Sequence, residues 1–210
     1  MTTMWRLFLA IPLAPQVSQQ LNDWLLERTI RTCSTNNEDV SSLPLLAAFR
    51  RDVHPQDYHI TVQFLGDVFP ARAAELQASL DEAVTGCKPF ELQVQGMGSF
   101  GSPAAPRILW AGVEGQTEQL HQLQQRIVAA TSLLGFAPEE RPYRPHITLA
   151  RQYTGQHEGK QLGVPASLWR ELAAHMPSLS WTVNGVALYR THLDRRPMYE
   201  AVHTACFVSG

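Results

Sequence analysis

Alternation of apolar and polar residues, together with runs of β-branched and aromatic side chains, predicts the strands of this chain. The predicted strands span residues 5–11, 49–53, 58–66, 90–97, 107–113, 143–151, 181–193 and 199–208. Apolar residues spaced three to four apart predict helices at about 15–28, 70–84, 117–134 and 165–176, with Gly135 as the stop of the third helix. Strands and helices mixed without strict βαβ alternation predict an α+β fold with antiparallel sheet.

Polar segments and segments rich in glycine or proline separate these elements. Residues 32–44 and 153–164 are predicted to be long exposed loops, and residues 98–106 a Gly/Pro loop. Residues 54–57 form a turn before the third strand, and a basic turn at Asp194–Pro197 joins the last two strands.

Two of the predicted strands carry the same His-x-Thr pattern. One contains His59 and Thr61, and the other contains His146 and Thr148. Residues i and i+2 of a strand point to the same face, so each imidazole lies beside a hydroxyl, opposite an apolar face. Two such faces turned toward each other would surround a small anion with two proton-transfer groups and two hydrogen-bond donors. The histidines are 87 residues apart (146 − 59), which suits two similar lobes better than one hairpin.

Composition limits the class of protein. A chain of 210 residues fits a single domain, here one bilobal domain over residues 1–210, and can bury a core without disulfides or metal. The net charge of −2 argues against general nucleic-acid coating, so phosphate binding would need a local cluster. Cys33, Cys87 and Cys206 are odd in number and far apart, which favours a reducing cytoplasm over a disulfide framework or a zinc site. No apolar run approaches membrane-spanning length.

Five stretches together resemble one family along nearly the whole chain. They are His-Ile-Thr-Val-Gln-Phe-Leu-Gly at 59–66, Arg-Ile-Leu-Trp-Ala-Gly-Val at 107–113, Arg-Pro-His-Ile-Thr-Leu-Ala-Arg at 144–151, Trp-Arg-Leu-Phe-Leu-Ala-Ile at 5–11 and Leu-Tyr-Arg at 188–190. They resemble the 2H phosphoesterases, and among them the bacterial RNA 2′,3′-cyclic phosphodiesterases, also called 2′-5′ RNA ligases. The segments 32–44 and 153–176 are longer than this family leads us to expect.

The resemblance implies a bilobal fold in which two antiparallel sheets form a V-shaped cleft with helices packed outside. It also implies hydrolysis of a 2′,3′-cyclic phosphate to a 2′-phosphate without metal or cofactor. His59 would protonate the leaving 3′-oxygen, and His146 would be the base that activates water. Thr61 and Thr148 would bind the phosphate oxygens.

The residues themselves suit that chemistry. Opening a cyclic phosphodiester takes one proton from water and gives one to the departing alkoxide, and imidazoles that titrate near neutrality can do both. Threonine hydroxyls can bond the non-bridging oxygens as charge builds on them. The sequence has no His-Glu-x-x-His and no carboxylate cluster near either motif, so no metal site is predicted.

Four further residues are candidates for substrate binding. Phe64 and Arg151 each lie five residues after a motif histidine, and the resemblance implies base stacking by Phe64 and phosphate contact by Arg151. Strict strand parity puts an odd offset on the opposite face, unless a bulge, a strand end or the reach of arginine intervenes. Tyr143 and Arg144 either line the cleft or only form a turn into the strand.

The remaining histidines are expected to be structural, and Trp110 is expected to be a core residue rather than a platform for a ligand. These histidines are His54, His121, His157, His175, His192 and His203.

Other functions remain open on the sequence alone. A binding module for RNA ends or nucleotides would keep the cleft without turnover. A 2′-5′ RNA ligase or a phosphodiesterase for a small cyclic nucleotide would use the same residues. The expected partners are RNA ends or nucleotides with a 2′,3′-cyclic phosphate, and we expect a cytoplasmic monomer with no membrane contact and no protein partner.

Overall fold

The computed structural model describes residues 3–33, 40–102, 105–154, 156–157, 160–161 and 166–207. Helices and antiparallel strands both contribute to it, which confirms the predicted α+β class. The described helices are α1 (Pro15–Leu26), α2 (Ala73–Val84), α3 (Thr117–Leu133) and α4 (Ala166–Ala174). The described strands are β1 (Trp5–Pro12), β2 (Thr29–Cys33), β3 (Val40–Pro44), β4 (Phe49–Asp52), β5 (His59–Val68), β6 (Phe90–Ser102), β7 (Ala105–Gly115), β8 (His146–Tyr153), β9 (Gln156–His157), β10 (Lys160–Gln161), β11 (Leu179–Val183), β12 (Gly185–Thr191) and β13 (Tyr199–Cys206).

Nine of the described strands form one antiparallel sheet. Their order is β11-β6-β7-β8-β5-β1-β12-β13, and β4 also pairs with β8. We call β5, β1, β12 and β13 the first arm, and β8, β7, β6 and β11 with β4 the second arm. The arms are joined where β5 meets β8, through the residue pair Ile60 and Ile147. The two predicted antiparallel sheets are therefore present as two arms of one sheet.

Helices and apolar side chains cover the outer face of the sheet. Helix α2 packs against α3, β12 and β13, while α3 contacts β5, α4 contacts β6 and α1 contacts β11. In β1, Leu7, Leu9 and Ile11 are each 1% exposed and belong to the apolar core. Burying a side chain of this kind stabilises the fold by roughly 1.5–3 kcal/mol. The opposite face of the sheet is left for polar and aromatic side chains.

The described helices are all too short or too polar to span a bilayer. Helix α3 ends at Leu133, and Gly135 follows with φ 85°, so the predicted glycine stop is confirmed.

The strand predicted at 181–193 is wrong in one respect. The strand is interrupted at Asn184, whose carbonyl accepts a hydrogen bond from the Phe207 amide at 2.7 Å. Strand β11 before the break pairs with β6, whereas β12 after it pairs with β1, so the two lie in different arms. A continuous alternating pattern shows which residues are buried but does not show which neighbour each half of the pattern pairs with.

The Gly/Pro loop predicted at 98–106 is also wrong over its described part. Strand β6 continues to Ser102 and β7 begins at Ala105. Gly98 serves packing rather than a turn, because a Cβ there would lie 2.3 Å from Cζ2 of Trp110.

The two long predicted loops contain short strand pairs. Thr29–Cys33 pairs with Val40–Pro44, and Gln156–His157 pairs with Lys160–Gln161. Residues 34–39, 155, 158–159 and 162–164 of these predicted loops lie outside the described residues. So do residue 165 of the predicted fourth helix and residue 208 of the last predicted strand.

Candidate active site

Each His-x-Thr motif opens a central strand of the sheet, His59 in β5 and His146 in β8. The predicted same-face arrangement is confirmed in β5, where the His59 Nε2 lies 3.1 Å from the Thr61 hydroxyl. The residues between and after the motif positions are buried on the other face, with Ile60 at 0% and Ile147 at 0% exposure.

The strand pairing brings the two motifs together. Ile60 and Ile147 are direct cross-strand partners, and both point into the core. Their neighbours in sequence must point to the opposite face, so both histidines and both threonines lie on one side of the sheet around this pair. The charge of His146 is among the groups that lower the pKa of His59, which places the two imidazoles within electrostatic reach. The structure therefore assembles the four predicted catalytic residues at the junction of the arms.

Both imidazoles are oriented in the same way. The Nδ1 of His59 lies 2.7 Å from the Asp57 carbonyl oxygen, and the Nδ1 of His146 lies 2.8 Å from the Arg144 carbonyl oxygen. A carbonyl can only accept, so we assign the proton of each neutral ring to Nδ1. This leaves each Nε2 as the atom that can exchange a proton with a bound molecule.

Burial favours the neutral form of both histidines. It lowers the pKa of His59 to about 4, against the opposing effect of the Asp57 carbonyl. Burial also lowers the pKa of His146, with the Arg144 carbonyl again opposing. The positive charge of Arg151 lowers both pKa values further. A bound anion would act in the opposite direction and favour the charged form of either ring.

A β-bulge in each motif strand turns the residue five positions after the histidine onto the histidine face. In β5, Thr61 pairs with Ala10 and Gln63 with Leu9, so one residue, Val62, is left over. In β8, the corresponding extra residue between the paired Thr148 and Ala150 is Leu149. Each bulge lies three residues after its histidine and reverses the strand parity beyond it.

The positions of Phe64 and Arg151 follow from these bulges. Phe64 is 57% exposed, and its ring centroid lies 6.0 Å from that of Phe8, which in turn lies 5.0 Å from His59. Arg151 acts electrostatically on both histidines and interacts with the Tyr199 hydroxyl, although β8 and Tyr199 belong to different arms. Both side chains therefore face the junction.

Aromatic rings that the sequence did not single out surround His59. The Tyr199 ring stands nearly perpendicular to it at 5.1 Å, and Phe8 and Tyr189 lie at 5.0 and 6.3 Å. Phe8 sits in an apolar run that looks like ordinary core, and Tyr189 follows an apolar run in β12. Both lie in stretches that resembled the family, 5–11 and 188–190, and that resemblance was the available signal.

A second aromatic group lies beside His146. The Phe100 ring meets it edge-on at 5.0 Å, and Trp110 lies at 6.4 Å. Trp110 is half-buried and pairs with Thr148 across β7 and β8, so the expectation that it is a core residue is wrong. The ring fits there because Gly98 leaves the space for it.

The structure gives different surroundings to Tyr143 and Arg144. The Tyr143 ring packs against His121 of α3 at 5.5 Å, and its hydroxyl is buried without a hydrogen-bond partner among the described residues. It therefore lies against a helix rather than beside the motif histidines, and its predicted substrate contact has no support from this placement. Arg144 orients His146 through its carbonyl, while its side chain is exposed.

Five of the other histidines hydrogen-bond to groups of the protein itself, in keeping with the structural role expected of them. His54 accepts from the Gln56 amide at 3.2 Å, and His121 and His175 bond to carbonyls one helical turn earlier. His192 and His203 pair with the carboxylates of Glu200 and Asp81 at 2.6 and 2.7 Å. The side chain of His157 lies outside the described part of the chain. Within the described residues, no group of three or more His, Cys, Asp or Glu side chains is arranged to hold a metal ion.

Taken together, these side chains suit a small phosphate ester. Two Nε2 atoms can exchange protons, two hydroxyls can donate to oxygens, and one guanidinium supplies positive charge. The exposed Phe64 ring offers a surface for a planar group.

Comparisons with known proteins agree with this arrangement. The family model described as the 2′-5′ RNA ligase superfamily matches residues 38–195. The chain is 34% identical over 197 residues to the RNA 2′,3′-cyclic phosphodiesterase of Geobacillus stearothermophilus, covering 93% of this chain and 55% of that protein. It is also 34% identical over 163 residues to the RNA 2′,3′-cyclic phosphodiesterase of Bacillus subtilis (strain 168), covering 76% of this chain and 81% of that one. The match thus spans about half the length of the first relative and most of the second.

Solved structures show the same fold. Escherichia coli LigT complexed with 3′-AMP superposes with a TM-score of 0.71 at 21% identity, covering 98% of this chain and 99% of that one. TT0787 of Thermus thermophilus superposes with a TM-score of 0.68 at 22% identity, covering 96% and 97% of the two chains.

Proposed function

Because the chain belongs to the 2′-5′ RNA ligase superfamily, we propose that it hydrolyses RNA 2′,3′-cyclic phosphate ends to 2′-phosphates without a metal or cofactor. The observation that carries the proposal is the meeting of the two His-x-Thr motifs at the Ile60–Ile147 pair, with both Nδ1 atoms held by carbonyls. Its substrates would be RNA ends or nucleotides that carry the cyclic phosphate.

The two histidines take different roles in this proposal. His146 Nε2 removes a proton from water as the water oxygen bonds to phosphorus. The bond from phosphorus to the 3′-oxygen breaks, and His59 Nε2–H protonates that oxygen to give a 3′-hydroxyl and a 2′-phosphate. Exchange with solvent then restores both rings. His146 suits the base role because its Nε2 has no hydrogen-bond partner among the described residues, whereas the His59 Nε2 shares a contact with Thr61.

The bound substrate would favour protonation of His59, the general acid. The His59 pKa of about 4 leaves the ring neutral at pH 7 before substrate binds. A phosphodiester anion beside Nε2 favours the imidazolium and so raises that pKa on binding. Thr61 and Thr148 donate to the non-bridging oxygens, which gain charge in the transition state.

The remaining site residues hold the substrate. Arg151 contacts the phosphate, and the exposed ring of Phe64 stacks on the base. Arg144 contributes through its carbonyl, and contacts from Tyr143 and the Arg144 side chain stay predictions. A cytoplasmic location and a monomeric state also belong to this proposal, and light scattering of the purified protein would test the second.

The test is a substrate panel run in EDTA. Purified protein is incubated with 2′,3′-cyclic mononucleotides and with oligoribonucleotides that end in the cyclic phosphate, and the product phosphate is located by ³¹P NMR. We expect turnover in EDTA with a 2′-phosphate as the product. Tight binding of 2′-phosphorylated ends without turnover of any cyclic phosphate would favour a binding module instead. A 3′-phosphate product would contradict the assigned leaving oxygen.

A further inference from the structure

Asp57 is the residue that connects the first motif to the rest of the site. It closes the 3₁₀ turn Pro55–Asp57, where its amide donates to the His54 carbonyl at 2.8 Å. Its own carbonyl accepts from the Nδ1 of His59 at 2.7 Å. The main chain of Asp57 therefore fixes the direction of the His59 ring.

The carboxylate of Asp57 holds a different segment of the chain. It accepts the main-chain amide of Met198 at 2.7 Å and that of Tyr199 at 3.1 Å, one on each oxygen. Asp57 is only 4% exposed, so these two amides replace the water that a carboxylate would otherwise bind. Hydrogen bonds to an ionised group are stronger than those between neutral groups, and this pair fixes the start of β13 against the start of β5.

The segment held in this way carries a wall of the site. The Tyr199 ring stands against the His59 ring at 5.1 Å and 85°, and its hydroxyl interacts with Arg151 from the second arm. One aspartate thus controls both the bond that orients His59 and the ring that packs against it.

The second motif has no equivalent clamp within the described part of the chain. The residue two positions before His146 is Arg144, whose carbonyl orients the ring but whose side chain is exposed and unpaired within the described residues. The difference suits a site in which one histidine must be held against a fixed leaving oxygen while the other meets a water molecule.

We propose that Asp57 is a positioning residue for the reaction, acting through His59 and Tyr199 rather than by touching the substrate. This rests on the proposed function. When the clamp loosens, the His59 ring can turn away from the leaving oxygen. Misplacing a catalytic group by about 1 Å can cost on the order of 10²-fold in rate.

The experiment compares Asp57→Asn with Asp52→Asn. Asn at 57 keeps the main-chain carbonyl and the size of the side chain but can accept only one of the two amides. Asp52 is the matched control, because its carboxylate pairs with Arg196 in the turn between β12 and β13, next to the segment that Asp57 holds. Within the described residues, the Asp52 side chain makes no contact with His59. Each protein is assayed for kcat and KM well below its melting temperature. The tautomer of His59 is read from two-bond ¹H–¹⁵N NMR correlations, which do not depend on activity.

We expect Asp57→Asn to lower kcat roughly 10- to 100-fold with KM changed less than about threefold. The Nδ1–H tautomer should also lose its dominance at His59. Asp52→Asn should match the wild type in both measurements. A lower melting temperature in Asp57→Asn, with kcat and the His59 tautomer unchanged, would reduce Asp57 to a structural role and overturn the inference. If the wild type shows no turnover, the proposed function fails, and the tautomer measurement alone decides whether Asp57 positions His59.

Discussion

Replacing His59 by Gln is expected to flatten the pH dependence of folding stability in the weakly acidic range. The pKa of His59 is about 4 in the folded protein, against 6.5 for an unperturbed histidine. Burial is the main cause, so protonating the ring costs free energy that the unfolded chain does not pay. Gln has a similar size and no charge at any of these pH values.

The sign and size follow from linkage. Because the folded pKa is depressed, the contribution of His59 to stability is fully present above pH 6.5 and is lost as the pH falls toward 4. Each pKa unit corresponds to ~1.4 kcal/mol, so the wild type should lose up to roughly 3 kcal/mol more than the variant across this window. Other titrating groups are common to both proteins and largely cancel in the difference.

The assay is urea unfolding of both proteins at several pH values from about 7.5 to about 4. As the pH falls, the unfolding free energy of the wild type should decrease more than that of His59→Gln. A direct NMR titration of His59 checks the pKa itself. Parallel stability curves for the two proteins would refute the claim that folding buries an uncharged His59 ring.

Three more substitutions test particular contacts of the site. Arg151→Gln removes a charge that lowers the pKa of both histidines, so the pH–rate profile should move to higher pH by roughly half a unit or more, while Arg51→Gln on the neighbouring strand serves as the control. An unmoved profile would exclude the electrostatic role of Arg151. Phe64→Ala should raise KM at least about fivefold with little loss of stability, because the ring is 57% exposed, and an unchanged KM would exclude base stacking. Gly98→Ala should cost roughly 1–3 kcal/mol in denaturant unfolding, because its Cβ would meet Trp110 at 2.3 Å, and Trp110→Leu should relieve most of that cost. A Gly98→Ala protein as stable as the wild type would contradict the packing described.

The central pair of motifs could be predicted because it depends on local rules. Alternation in β5 and β8 places each histidine beside its threonine, and the buried Ile60 and Ile147 confirm the apolar face. Which strands meet is a long-range property, and only the family resemblance indicated that these two would lie together.

The rest of the site depends on features that periodicity does not show. The bulges at Val62 and Leu149 are the reason that Phe64 and Arg151 face the histidines despite an odd offset. In the sequence, Asp57 looks like an ordinary turn residue. The amides that its carboxylate binds lie 141 and 142 residues further along the chain, so no local pattern reveals them. Likewise, the split of 181–193 between two arms follows from strand pairing, which composition does not encode.

The most direct test of the paired mechanism compares the wild type with His59→Ala, His146→Ala and the double variant on one cyclic-phosphate oligoribonucleotide in EDTA. Residues that act as a unit give non-additive losses, so each single variant should lose most of the turnover and the double variant should be little slower than the worse single one. Each imidazole is expected to contribute roughly 10²- to 10⁴-fold in kcat. Undiminished turnover in His146→Ala, or losses that simply multiply in the double variant, would contradict a reaction carried by the two histidines together.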